Sequence, residues 1–207
     1  MKGVIGIDEV GRGPLAGPVT VCAVYLVDSN KASKEYFNNI VRDSKRLSLS
    51  SRINIFQLIR KNRKIKTIYY AVSSRSAKHV DKHGINKSIH DCMISCLSGL
   101  EKDGVDISNL KINLDGGLKI TGRVVNQEAH IRGDEKFVEI ALASIVAKVT
   151  RDSFMIKLAK LHPEYGFERN VGYGTLEHRN AIKRVGITDY HRKTYLSSFK
   201  TIRKNLK

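Results

Sequence analysis

The sequence predicts an α/β fold in which a mixed β-sheet is covered by helices. Strand-like apolar segments come first along the chain, and later ones alternate with helical segments, an order typical of such a sheet. The chain has 207 residues, which is enough to bury a substantial core in one domain. We expect this domain to span residues 1–190 and a basic C-terminal tail or helix to span residues 191–207.

The first third of the chain predicts three strands that give the sheet an antiparallel start. Apolar and β-branched residues mark strands at 4–7, 19–26 and 65–72. A short amphipathic helix is expected at 52–60, and one of the serines from Ser48 to Ser51 would be its N-cap.

The remainder of the chain predicts two more strands and three longer helices. The expected elements are a helix at 86–102, strands at 110–114 and 124–131, a long helix at 138–161, a loop at 162–175 and a helix at 176–185. The loop is indicated by Pro163 and by the glycines that follow it. Thr175 is the expected N-cap of the last helix.

The charge of the chain indicates a polyanionic partner. Lys and Arg number 37 against 20 Asp and Glu, which gives a net charge of +17 and a sequence pI near 9.9. Nucleic acid is the partner that such a balance favours. A ribosomal or architectural protein without catalytic activity would show the same charge, so the distinction depends on the acidic residues.

The cysteines and the apolar segments indicate in which cellular compartment the protein works and whether it binds zinc. Three cysteines without a paired framework, and no apolar leader, predict a cytoplasmic protein, and the apolar run at 19–27 is too short to span a membrane. A zinc site is one alternative use of His79, His83, Cys92 and Cys96. Both cysteines share one helical stripe with apolar residues, however, which favours core packing over zinc binding.

The segment from Gly6 to Gly13, with the sequence GIDEVGRG, combines acidic residues with a flexible loop. The following glycines indicate that the first strand ends before Asp8 and Glu9, so both carboxylates can serve one site. Carboxylate oxygens suit Mg²⁺ or Mn²⁺. The Gly11-Arg12-Gly13 loop can present amide groups and a guanidinium to a phosphate or a sugar hydroxyl. The segment predicts metal-dependent phosphodiester chemistry, whereas the simpler alternative is a polar turn.

Two further aspartates occupy comparable positions. Asp115 follows a predicted strand and precedes two glycines, and Asp134 lies between Gly133 and the long helix. Two metal ions about 4 Å apart need several carboxylates from separate strand ends, and Asp8, Glu9, Asp115 and Asp134 supply such a set. Asp134 has a second interpretation, in which its charge complements the dipole of the helix.

Four segments together resemble the ribonuclease HII family. They are the Gly6–Gly13 string, Asp43-Ser44-Lys45, residues 143–152 and Gly172-Tyr173-Gly174-Thr175. The resemblance implies a ribonuclease H-like fold with a mixed five-stranded sheet, flanking helices and a small helical C-terminal extension. It also implies that Asp8, Glu9, Asp115 and Asp134 are catalytic residues that bind two Mg²⁺ or Mn²⁺ ions. The implied activity is hydrolysis of the RNA strand of RNA–DNA hybrids and incision on the 5′ side of ribonucleotides in duplex DNA, which leaves 5′-phosphate and 3′-hydroxyl ends.

The resemblance also implies the substrate contacts. Tyr173 would stack on the sugar at the RNA–DNA junction and help to place the 2′-OH against the backbone of Gly11, Arg12 and Gly13. Lys45 would contact a phosphate. Ser144 and Lys148 are four residues apart, so they share a helix face and can both reach the bound strand. For Asp152, an ion pair with a nearby arginine is favoured over a metal.

The chain departs from the family pattern at several positions. Leu142 replaces the usual alanine, and Asn170 and Val171 stand where a histidine and a lysine are common. Residues 191–195 follow the family pattern only loosely, so the pattern does not identify C-terminal DNA contacts. Arg12 and the absence of an N-terminal accessory domain argue against ribonuclease HIII.

The expected protein is a monomer, and contact with a replication clamp is left open. Two alternative functions remain: another nuclease of the superfamily, or a non-catalytic nucleic-acid-binding protein.

Overall fold

The computed structural model describes residues 3–28, 30, 47–123 and 125–197, and a five-stranded sheet forms its centre. The strands are β1 Val4–Val10, β2 Val19–Leu26, β3 Ile68–Arg75, β4 Lys111–Asp115 and β5 Asn126–His130. Their order across the sheet is β3-β2-β1-β4-β5. The pairs β1–β2 and β2–β3 are antiparallel, and β1–β4 and β4–β5 are parallel. The mixed five-stranded sheet is therefore confirmed.

The helices of the described residues cover both faces of this sheet. They are α1 Leu49–Lys64, α2 Ala77–His83, α3 Ile85–Lys102, α4 Val138–Leu161, α5 Phe167–Asn170, α6 Leu176–Val185 and α7 Lys193–Leu196. Ser48 and Thr175 cap α1 and α6 as expected. The expectation of a plain loop at 162–175 is wrong in part, because this segment contains a 3₁₀ turn at Pro163–Tyr165 and the short helix α5.

Strand β1 is longer than the sequence indicates. It continues past Ile7 to Val10 because β2 pairs with it along its whole length, as far as Val10 opposite Thr20. Its parallel pairing with β4 ends earlier, at Ile7 opposite Leu114. The expectation that the strand ends before the two carboxylates is therefore wrong, and the edge of β1 that faces β4 is open beyond Ile7.

The core lies on the two faces of the sheet. Ile5 and Ile7 point toward α3, where Cys92 and Cys96 are buried in the same apolar cluster. The expected role of these cysteines in core packing is confirmed. On the other face, α4 lies so close to β1 that a Cβ on Gly6 would come within 2.3 Å of the Glu139 backbone.

A third apolar cluster supports the loop that follows β1. It joins the second half of α4 to α6 and α7 and includes the buried rings of Tyr165 and Phe167. Residues 190–192 hydrogen-bond to this loop: Tyr190 O accepts from Gly17 N–H at 2.8 Å, and Arg192 N–H donates to Leu15 O at 2.8 Å. None of the described helices is long and apolar enough to cross a lipid bilayer.

Candidate active site

An open pocket of about 400 Å³ lies at the carboxyl ends of β1 and β4. Its lining residues are Asp8, Glu9, Val10, Arg52, Asp115, Asp134, Ser144, Ile145, Lys148 and Tyr173. Parallel strands place their carboxyl ends at the same edge of a sheet, which is where α/β folds bind ligands. The structure thus brings together all four acidic residues singled out in the sequence.

Asp8 and Glu9 reach this pocket from opposite faces of β1. Adjacent strand residues point to opposite faces, so a continuous sheet would separate the two side chains. Because β4 ends beside this point, the open edge of β1 gives both carboxylates access to one space. The end of the neighbouring strand, not the end of β1, makes the shared site possible.

The carboxylates of Asp8 and Glu9 are crowded. Asp8 is only 6% exposed. Burial, followed by the nearby charge of Glu9, raises the pKa of Asp8 well above its ordinary value, and a hydrogen bond from Ser144 opposes this rise. The pKa of Glu9 is also raised by burial, against the effect of Arg12, whose Nη1 donates to Glu9 Oε1 at 3.1 Å. A bound cation would relieve this crowding.

Asp115 and Asp134 line the pocket from the end of β4 and from the turn before α4. Asp115 Oδ1 accepts a hydrogen bond from Gly133 N–H at 2.7 Å. Gly133–Glu135 forms a 3₁₀ turn, and Asp134 is 3% exposed within it. Helix α4 begins only at Val138, so Asp134 is separated from the helix terminus by this turn. Its side chain lines the pocket with the other acids.

The donor set suits a hard divalent cation. All four candidate ligands are carboxylates, the oxygen donors that Mg²⁺ and Mn²⁺ prefer. Within the described parts of the chain, no three His, Cys, Asp or Glu side chains already surround a single point as in a formed metal site. The acids line one pocket, and the pKa values of Asp8 and Glu9 are raised mainly by burial and further by the neighbouring carboxylates.

The Gly11–Gly13 loop borders the acidic pocket. Gly11 has a φ of +89°, and a Cβ there would come within 2.3 Å of Arg151 Nε. The carbonyl oxygens of Gly11 and Arg12 accept hydrogen bonds from the Arg192 guanidinium at 2.6 and 2.8 Å. Over residues 3–28, 47–123 and 125–197, no acceptor contacts the N–H groups of Arg12 and Gly13. These two amides are thus available to a ligand.

Tyr173 lies beside this loop. Its side chain lines the pocket and the residue is 42% exposed, and a Cβ added to Gly13 would lie 3.8 Å from its Cε1 atom. The Tyr173 segment is also bonded to the loop, because Gly172 O accepts from Leu15 N–H at 2.8 Å. The structure therefore brings the two glycine-flanked segments together at the pocket.

Ser144 and Lys148 both face the pocket from α4, as their spacing indicates. Lys148 Nζ lies 3.0 Å from Asp152 Oδ1. The partner of Asp152 is therefore a lysine of the same helix, not the expected arginine, because the two residues are one helical turn apart. Lys45 lies outside the described residues.

Two buried arginines that hold the loop after β1 were not predicted from the sequence. Arg151 donates to the carbonyl oxygens of Pro18, Ala16 and Val171, and Arg192 donates to those of Gly11, Arg12 and Gly17. Burial lowers the pKa of Arg151 to about 10 and also lowers the pKa of Arg192. The signal in the sequence is weak, because buried and exposed arginines look alike in a basic chain.

A chain of hydrogen bonds fixes the backbone of Tyr173. His191 Nδ1 accepts from Thr188 N–H at 3.0 Å, so its Nε2–H can donate to His178 Nε2 at 3.1 Å. His178 Nδ1–H then donates to Tyr173 O at 2.9 Å. This arrangement needs both imidazoles neutral, and burial lowers the pKa of both, that of His191 to about 3.

Comparisons with known proteins give a consistent result. The ribonuclease HII family model matches residues 5–202. The chain is 39% identical over 203 residues to ribonuclease HII of Ruegeria pomeroyi, covering 98% of this chain and 78% of that one. It is also 39% identical over 192 residues to that of Prochlorococcus marinus, covering 93% and 95%.

A solved structure extends the likeness to the fold. Ribonuclease H2 from Pyrococcus horikoshii OT3 superposes with a TM-score of 0.67 at 25% identity, over 98% of this chain and 96% of that one. The sheet and its flanking helices therefore have the ribonuclease H-like arrangement. With the family model and the relatives covering nearly the whole sequence, the chain belongs to the ribonuclease HII family and is a ribonuclease H hydrolase.

Proposed function

We propose that this ribonuclease H incises duplex DNA on the 5′ side of an embedded ribonucleotide and also cuts the RNA strand of RNA–DNA hybrids, using two divalent metal ions. The observation that carries the proposal is the pocket that four carboxylates share with Tyr173, next to the free amides of Arg12 and Gly13. The acidic groups proposed for hydrolysis and the groups proposed for sugar recognition are thus neighbours, which supports the proposal.

The proposed metal ligands are Asp8, Glu9, Asp115 and Asp134. Bound Mg²⁺ or Mn²⁺ would supply activation of the attacking water and stabilisation of the leaving 3′ oxygen. The chain contributes the positions of the ligands: Glu9 N–H donates to Asp8 Oδ1 at 2.7 Å, and Gly133 N–H donates to Asp115 Oδ1. Hydrolysis of this kind leaves a 5′-phosphate and a 3′-hydroxyl and needs no covalent enzyme intermediate.

Selection of the substrate depends on the ribose 2′-OH, because this group distinguishes RNA from DNA. Arg12 and Gly13 offer two N–H donors, and the absence of a side chain at Gly13 leaves room for a sugar beside the ring of Tyr173. Ser144 and Lys148 would contact the phosphates of the same strand. The phosphate contact of Lys45 stays a prediction.

We also infer that the protein works in a reducing compartment, which the three free, buried cysteines support.

The test is a DNA duplex that contains one ribonucleotide. The parent protein with Mg²⁺ should cut this duplex once, 5′ of the ribonucleotide, and addition of a chelator should stop the reaction. The product ends can be mapped by denaturing electrophoresis against marker strands. An all-DNA duplex of the same sequence is the control and should remain intact.

Two results would contradict the proposal. Cleavage of the all-DNA duplex at a similar rate would remove the role of the 2′-OH. Cleavage restricted to long RNA tracts would show that a single 2′-OH is not sufficient, as expected for an enzyme that reads several consecutive ribonucleotides.

A further inference from the structure

Arg192 is a fully buried arginine whose hydrogen bonds converge on one short loop. Its exposed fraction is 0%. Nη2 donates to Gly11 O at 2.6 Å and to Gly17 O at 3.0 Å, Nη1 donates to Arg12 O at 2.8 Å, and Nε donates to Gly17 O at 3.2 Å. All of these acceptors are backbone carbonyls. A planar fork of this kind fixes the directions of the carbonyls that it binds.

The bonds to Gly11 and Arg12 determine where the neighbouring amides point. In a trans peptide, the C=O of one residue and the N–H of the next lie in one plane and point in opposite directions. No cis peptide bond occurs among the residues that the structure describes. Holding Gly11 O and Arg12 O toward Arg192 therefore turns the N–H groups of Arg12 and Gly13 away from it.

Tyr195 gives the loop a second hold. Its hydroxyl donates to Arg12 O at 3.0 Å, and the centroid of its ring lies 5.1 Å from the guanidinium carbon of Arg192. Asp81 anchors the first turn of α7, because its carboxylate accepts from Lys193 N–H at 2.8 Å and from Thr194 N–H at 3.0 Å. Arg192 and Tyr195 thus bind the loop from a segment that Asp81 itself holds in place.

We propose that Arg192 and Tyr195 are positioning residues for ribonucleotide selectivity, because they orient the Arg12 and Gly13 amides toward the 2′-OH. This inference rests on the proposed function of the Gly11–Gly13 loop. Neither residue lines the acidic pocket, so neither is expected to take part in hydrolysis. Arg151 differs from Arg192 because it binds the carbonyls of Ala16, Pro18 and Val171 and none within Gly11–Gly13.

The experiment measures preference in binding, without cleavage. Affinities for a single-ribonucleotide duplex and for the matching all-DNA duplex are determined by fluorescence anisotropy in the presence of a chelator. Tyr195→Phe removes the hydroxyl bond to Arg12 and keeps the ring, and Arg192→Lys keeps the charge but loses the fork. Tyr190→Phe is the matched control, because the main chain of Tyr190 bonds to Gly17 while its ring packs near Phe154 and His162.

We expect the parent and Tyr190→Phe to prefer the ribonucleotide duplex. Tyr195→Phe should reduce this preference about fivefold, the usual effect of one hydrogen bond, and Arg192→Lys should reduce it further. Affinity for the all-DNA duplex should stay unchanged in both variants. A merely structural role would lower the melting temperature and leave the ratio of the two affinities intact.

The outcomes separate this inference from the function on which it rests. A parent that prefers the ribonucleotide duplex, with the preference retained in Tyr195→Phe and Arg192→Lys, would overturn the inference and leave the proposed function standing. A parent without any preference would overturn the proposed sensing of the 2′-OH, and the inference with it. If Arg192→Lys does not fold, Tyr195→Phe decides the question alone.

Discussion

Asp115 combines a proposed chemical role with a structural one, and a single substitution separates them. Its Oδ1 atom accepts from Gly133 N–H, and asparagine retains an oxygen that can accept the same bond. Asp115→Asn therefore removes a negative charge from the pocket while the turn at Gly133–Glu135 stays in place.

We expect Asp115→Asn to lose cleavage by at least about 100-fold, since a charged metal ligand is replaced by a neutral one. Duplex binding should persist or tighten, because the basic surface is unchanged and a repulsive charge is gone. Cleavage rates and binding affinities are measured on the single-ribonucleotide duplex. The exposed Asp106, which bonds to Ser108, supplies the control Asp106→Asn. Parent-like turnover of Asp115→Asn would contradict the assigned metal site.

Tyr173 is exposed enough to change without disturbing the core. We expect Tyr173→Phe to keep most of the activity and Tyr173→Ala to lose most of it, because the ring, not the hydroxyl, is proposed to stack on the sugar. Aromatic stacking on a base contributes about 1–3 kcal/mol, which corresponds to a loss of about 5- to 150-fold in kcat/KM. Equal activity of the parent and Tyr173→Ala would make the residue a loop anchor only.

At the level of elements, the His178–His191 contact joins α6 to the segment before α7 and makes stability depend on pH. An unfolded histidine titrates near 6.5, whereas burial lowers the pKa of His191 to about 3. Between these values the unfolded chain binds more protons than the folded chain does. The free energy of unfolding is therefore highest above pH 6.5 and falls as the pH decreases toward 3.

His191 alone should lower the free energy of unfolding by about 2 kcal/mol between pH 7.5 and pH 5. Urea denaturation at the two pH values measures this difference. His191→Gln should reduce the difference because glutamine does not titrate, and the exposed His83→Gln should preserve it. A difference that is the same in the parent and in His191→Gln would refute the assignment.

The sequence predicts the elements of this fold better than their ends. Hydrophobic patterning identifies all five strands, but β3 begins at Ile68, not at 65, because α1 runs on to Lys64 and residues 65–67 form the turn. The short helix α2 escapes prediction since its seven residues contain few apolar positions. Its extent depends on the Ser76 cap and on packing against α3.

In the candidate site, too, some residues are predictable from the sequence and others are not. The acidic residues and the glycine-flanked Tyr173 are predictable because they lie at strand ends and in loops with a distinct local sequence. The contacts of Arg151 and Arg192 are not, because each depends on segments more than 130 residues away that meet only in the folded chain. The shared use of Asp8 and Glu9 likewise depends on where β4 ends.

At the scale of the whole molecule, the net charge of +17 should govern affinity, whereas the 2′-OH contact should govern selectivity. We expect binding to any duplex to weaken steeply with KCl, with a log–log slope of about −0.9 for each phosphate neutralised. The ratio of affinities for single-ribonucleotide and all-DNA duplexes should stay nearly constant. Titrations at several salt concentrations measure both quantities, and a ratio that collapses with salt would assign selectivity to charge.

The contact between Arg192 and Gly11 spans 181 positions of the chain, and this distance has a consequence for biosynthesis. A ribosome delivers the N-terminal part of a protein first. Asp8, Glu9 and Asp115 therefore emerge while Arg192 and Tyr195 are still untranslated. A nascent chain would carry acidic residues of the pocket before it carries the groups that orient the loop, so the proposed discrimination between ribose and deoxyribose would become possible only after those acidic residues have been synthesised.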